Sequence, residues 1–201
     1  IMVMDMGWHE QAAATTGYGH AWTLGWTGYT WSKRLIPEPG KLLKEFRDDG
    51  IFVTLNDHPA DGMRSHEEHY PEFIKMLPEG TPDNPPFNAG DPRYMAAFFK
   101  TALVPREKQG VDFWWVDWQQ DHIYNFVFGV PGLKHLPWVK YLYFKHSERG
   151  DRRGQGFSRW GGWGDHRHPI QFSGDTNGTW KMLAFQVAFT AFSGNAGCFF
   201  W

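Results

Sequence analysis

Four polar residues in this chain stand where an apolar run gives out: Asp5 after Ile1–Met4, Asp117 after Val111–Val116, Arg159 after Gly156–Ser158, and Asp175 shortly past Ile170–Phe172. Asp117 carries the strongest local signal, because Val111-Asp112-Phe113-Trp114-Trp115-Val116 predicts an almost fully buried strand that ends in one carboxylate. Carboxyl groups at the C-terminal ends of several parallel strands converge on one mouth, which is what nucleophilic and acid/base chemistry requires. Cleavage of a glycosidic bond uses such a pair: one carboxylate attacks the anomeric carbon and a protonated partner releases the aglycone. On this reading Asp117 is the nucleophile, and Asp175, within Ser173-Gly174-Asp175-Thr176-Asn177, is the acid/base, its proton held by neighbouring aromatic rings. Taken singly, each of these residues also suits the N-cap of a following helix; together they point to a site.

The elements that must position them alternate. Short apolar runs are followed by segments of helical period, the pattern of βα units around a parallel sheet, so the expected fold class is α/β. Six strands are expected: Ile1–Met4, Ile51–Leu55, Val111–Val116, Gly156–Ser158, Ile170–Phe172 and Gly197–Trp201. Leu42, Leu43 and Phe46 make one helical face that ends at Gly50. Tyr94, Ala97, Phe98 and Ala102 make another, behind Asp91 as N-cap and Pro92 at the first helical position. Trp180 to Phe192 reads as the last helix, and the long connections Gly7–Trp31, Pro78–Asp91 and Gln119–Pro137 are rich in Gly, Pro and aromatic residues. With 201 residues the chain is expected to be one domain and part of a (β/α)8 barrel, which usually takes about 250.

Composition narrows the partners. The net charge of -2 with no basic block argues against nucleic acid and anionic membrane, and no apolar stretch approaches the roughly 20 residues of a spanning helix. Twelve Trp and seventeen Phe, many beside Gly, His or Asp, suit sugars, whose C–H faces stack on rings while their hydroxyls are bonded at the rim. Cys198 is the single cysteine, so no intrachain disulfide forms. No phosphate-cradling loop, Gly-x-Ser-x-Gly elbow or Cys/His pair is present, and no cofactor is implied. His66-Glu67-Glu68-His69 lacks the i, i+4 spacing of zinc-binding helices and reads as a solvated helix start, so no metal is expected. Asp165-His166-Arg167-His168 reads as a solvated loop near Arg159 that offers a sugar contact as its alternative. Asn56 heads Asn56-Asp57-His58-Pro59-Ala60-Asp61-Gly62 as a candidate substrate contact, while Asp57 and Asp61 suit turn chemistry. Trp26–Trp31 offers either a rim for the site or loop packing, and the sequon Asn177-Gly178-Thr179 reads as a chance match.

The segments resemble glycoside hydrolase family 31, whose members are mainly retaining α-glucosidases and α-xylosidases. Val3-Met4-Asp5-Met6-Gly7-Trp8-His9 is similar to that family's second barrel strand, whose Asp binds sugar hydroxyls. Val111 to Asp117 resembles the fourth, with its nucleophile and with Trp115 lining the same subsite. Phe157-Ser158-Arg159 resembles the fifth, where Arg binds hydroxyls, and Phe172-Ser173-Gly174-Asp175-Thr176-Asn177 the family's Trp-x-Gly-Asp-Asn segment, with Phe172 in place of Trp. The resemblance implies a (β/α)8 TIM barrel present from about strand 2 to strand 7, with flanking β-domains and the barrel ends outside the chain. It implies a terminal α-linked sugar on an oligosaccharide or glycoside as substrate, with Asp5, Asn56, Trp115, Arg159 and Phe172 binding it. Where the family commonly continues its nucleophile segment with Asn-Glu, this chain has Trp118-Gln119-Gln120, which places it in a divergent branch. The alternatives are an α-galactosidase or α-N-acetylgalactosaminidase on the same scaffold, or a sugar-binding relative that no longer catalyses.

Overall fold

A computed structural model describes residues 1–10, 26–117, 126–159, 164–168 and 170–195. Five strands form one parallel sheet in chain order: β1 (Met2–Met4), β2 (Val53–Asp57), β3 (Phe113–Val116), β4 (Phe157–Arg159) and β5 (Gln171–Phe172). Sequential parallel neighbours, the first three pairs joined by helical crossovers, are the wall of a (β/α) barrel, here a half-barrel. The expected strand Gly197–Trp201 lies outside the described residues.

The helices are α1 (Pro39–Asp48), α2 (Tyr70–Met76), α3 (Pro92–Phe98), α4 (Val104–Gln109), α5 (His135–Ser147) and the largely exposed α6 (Trp180–Asn195). Helix α1 stops where expected. Gly50 takes φ +74°, and Ile51 N–H bonds back to the Phe46 carbonyl at 2.8 Å, closing the left-handed end that favours glycine. Asp91 caps α3 by accepting from Arg93 N–H at 2.8 Å. A π-helical turn, Phe99–Leu103, joins α3 to α4. Its position is explained by Pro105, which has no N–H to donate and would clash with the carbonyl four residues back, so the ladder widens there.

Strand boundaries shift from expectation by one or two residues. Strand β2 runs two residues later than its apolar stretch, because Asn56 and Asp57 stay paired in register with Trp115 and Val116 of β3. Helix α5 lay unmarked in the sequence: its buried face, His135, Val139, Lys140, Tyr143 and Ser147, has helical spacing but only two apolar or aromatic members, so its period is masked. The main core lies between sheet and helices and includes Leu43, Leu55, Phe73, Phe98, Leu103 and Val116. A second cluster, Phe113, Trp115 and Phe157, fills the inner side of the sheet with Val3, Ile170 and Phe172 packed against it.

Candidate active site

Strand register decides which residues meet. Asn56 pairs with Trp115, Trp115 with Phe157, and Arg159 with Phe172. Side chains alternate along a strand, so Asn56, Trp115, Phe157, Arg159 and Phe172 share the inner face, and Asp117, two residues beyond Trp115, shares their parity. The two carboxylates expected to carry the chemistry meet on one cation. Arg159 Nε donates to Asp117 Oδ1 at 2.5 Å, and its Nη2 donates to Asp175 Oδ1 at 3.2 Å. The guanidinium also lies 5.0 Å from the centre of the Phe172 ring, within cation–π range.

Beneath this cluster the rings form a floor. Trp115 stacks on Phe157 with centroids 4.3 Å apart and meets the Phe172 ring edge-on at 5.1 Å. Trp115 is buried and Phe172 half-buried. Asn56 is buried too: its carbonyl accepts from Trp8 Nε1 at 2.7 Å, while its side-chain Nδ2 has no partner among the described residues. An inward amide donor left unmet beside an aromatic floor is an unfilled contact of the kind a hydroxyl oxygen satisfies.

Two candidates sit differently from expectation. The Asp175 side chain is 83% exposed and rests on Arg159 rather than against apolar rings, because it follows Gly174 at φ +110° and projects past the end of β5. Asp5 is exposed at the end of β1, where its Oδ1 accepts from Met6 N–H at 2.9 Å; it is not in contact with the Arg159 cluster. Two polar stretches read as solvated carry buried carboxylates instead. Glu67 accepts from Tyr29 N–H at 3.1 Å and from the Thr30 hydroxyl at 2.6 Å, tying down the Trp26–Trp31 segment, and no metal-binding cluster occurs among the described residues. Asp165 is buried against Lys140 Nζ at 2.9 Å and accepts from the Gln171 side chain, pinning its loop to α5 rather than offering it to a ligand. Asp57, expected in a turn, lies on the helix side of β2 and accepts from Tyr143 OH at 2.5 Å and Tyr29 OH at 3.0 Å. Burial pushes its carboxyl up to about 6, although both tyrosine hydroxyls oppose the shift.

One residue escaped the sequence reading. His58 is buried and places Nε2 3.2 Å from Asp117 Oδ2, opposite the oxygen held by Arg159. The signal was its parity: it lies two residues beyond Asn56, on the inner face. Residues 1–201 match the family model described as the glycosyl hydrolases family 31 TIM-barrel domain. No curated protein matches the chain.

Proposed function

Because the chain belongs to glycosyl hydrolase family 31 and is a glycoside hydrolase domain, we propose that it cleaves terminal α-linked sugars with retention, in the manner of an α-glucosidase. The observation that carries this reading is the bridging of Asp117 and Asp175 by the one guanidinium of Arg159 at the C-terminal mouth of the strands. In the first step an Asp117 oxygen forms a bond to the anomeric carbon as the bond to the leaving oxygen breaks, and the Asp175 proton passes to that oxygen. In the second, water loses a proton to Asp175 and displaces Asp117, which restores both groups. Trp115 and Phe172 supply the apolar wall, and Asn56, Asp5 and Arg159 the hydroxyl contacts.

The buried Asp117 and the exposed Asp175 suit their different tasks. A nucleophile must be fixed, whereas an acid/base must exchange protons with solvent between steps. A carboxylate that accepts from a guanidinium holds no proton there to give, so a sugar hydroxyl must take the place of Asp175 on Arg159. That exchange frees Asp175 to approach the roughly 5–5.5 Å carboxyl spacing of retaining enzymes. The test is hydrolysis of a panel of p-nitrophenyl α-glycosides by the full-length protein and its Asp117→Asn and Asp175→Asn variants. Turnover of one α-sugar that vanishes in the first variant, and is partly restored by azide in the second, is expected. A folded protein that binds an α-sugar but turns over none would overturn the hydrolytic reading in favour of a sugar-binding relative.

A further inference from the structure

We infer that His58 is a positioning residue for Asp117, its imidazole Nε2 paired with the carboxylate oxygen opposite the one that Arg159 holds; the inference rests on the reading of Asp117 as the nucleophile. The geometry is two-sided. Arg159 Nε takes Oδ1 at 2.5 Å, and His58 Nε2 stands 3.2 Å from Oδ2. A carboxylate held at one oxygen still rotates about its Cβ–Cγ bond; held at both, it presents a fixed plane, and attack on an anomeric carbon needs that alignment.

The imidazole is itself held firmly. Its side chain is 1% exposed, and the Trp26 ring meets it edge-on with centroids 5.3 Å apart. Thr27 Oγ1 donates to the His58 carbonyl, and Asp61 N–H reaches the same hydroxyl at 3.4 Å, closing the Pro59–Asp61 turn onto the Trp26–Trp31 segment. That segment is anchored further out: Arg106 Nε donates to the Tyr29 carbonyl at 2.5 Å, and Trp31 Nε1 donates to Gln109 at 2.6 Å. Neither ring nitrogen of His58 completes a hydrogen bond among the described residues, and Nε2 faces Asp117 Oδ2 at ion-pairing distance, 3.2 Å. A protonated imidazole there attracts the carboxylate, and a small rotation of either group turns the pair into a charge-assisted hydrogen bond, the stronger kind. The Trp26–Trp31 segment thereby bears on the reacting carboxylate through His58.

The test compares His58→Phe, which keeps a flat ring and removes the donor, with His58→Gln, which restores an N–H near the same place, both in the full-length protein. Circular dichroism checks the fold. Two readouts separate this inference from the reading beneath it. The first is covalent trapping with 5-fluoro-α-glycosyl fluorides of the gluco, xylo and galacto series, followed by peptide mapping. The label is expected on Asp117, at a rate about 10- to 100-fold lower in His58→Phe and partly recovered in His58→Gln. The second is carboxyl-carbon NMR of Asp117, whose titration midpoint is expected to rise in His58→Phe and to return toward wild type in His58→Gln. Label on another residue, or none on the wild type, overturns the nucleophile reading, and the NMR then decides the His58 contact alone. Label on Asp117 at an unchanged rate in His58→Phe, or an unmoved Asp117 midpoint, overturns the role given to His58.

Discussion

Asn56 and Asp57 are neighbours in β2, both buried, yet they face opposite ways and live under different rules. On the inner face, Asn56 leaves an amide donor unmet, and Asp117 and Asp175 share one arginine in the open mouth. On the helix side three buried carboxylates have dedicated partners: Asp57 has two tyrosine hydroxyls, Asp165 has Lys140 and Gln171, and Glu107 has Arg149 at 2.6 Å, Trp114 Nε1 at 3.0 Å and His146 Nε2 at 3.0 Å. Burial would raise the Glu107 carboxyl, and His146, Trp114 and Arg149 outweigh it, leaving it below the ordinary value. The difference teaches that charge on the helix side is structural and closed, while on the inner face it is left partly unsatisfied for something else to complete.

Substitutions on the two sides should therefore fail in different ways. The largest effect is expected from Asp117→Asn: hydrolysis of the p-nitrophenyl α-glycoside should fall by about three orders of magnitude or more, with the thermal midpoint unchanged or higher. A matching drop in the midpoint would break the contrast. Lys140→Met should do the reverse. It strands Asp165 in the interior and should cost about 3–5 kcal/mol in thermal or urea unfolding, with normal turnover per folded molecule. Adding Asp165→Leu should recover most of that loss, since an apolar pair of similar volume often replaces a buried ion pair without penalty.

Asp57 sharpens the comparison through pH. Its folded carboxyl titrates at about 6 against 3.8 for the ordinary group, so the folded state binds the proton more tightly than the unfolded chain. The stability it contributes is thus full at low pH and is lost as pH rises from about 3.8 through about 6, an effect of about 3 kcal/mol. In Asp57→Asn that part of the decline should vanish from unfolding curves taken between pH 4 and pH 7; an unaltered slope would remove Asp57 as its source. The smallest effect is expected at Gly28, where a Cβ would stand 2.1 Å from His9 Nδ1. Gly28→Ala should cost about 1–3 kcal/mol through this overlap. By shifting Thr27 it should also slow trapping at Asp117 modestly, a change absent from helix-side variants of equal cost.

Much of the frame was legible in the chain. Asp117 after Phe-Trp-Trp-Val, Arg159 after Phe-Ser and the Asp91–Pro92 cap are local patterns, written by strand alternation and by the needs of a helix start, and the structure has them where the pattern places them. Family membership followed from the order of such segments, which matches along the whole chain. Other features have no local signature. The burial of Glu67 and Asp165, the paired tyrosines on Asp57, and the contact of His58 with Asp117 join residues dozens of positions apart. A charged residue in a polar stretch reads as solvated until a distant partner compensates its desolvation, and that partner is supplied only when parallel strands settle into register. The residue types and their local spacing thus determined which groups were available for chemistry. The register of β2, β3, β4 and β5 decided which of them share a face and a hydrogen bond, because shifting a strand by one residue turns every side chain to the other side.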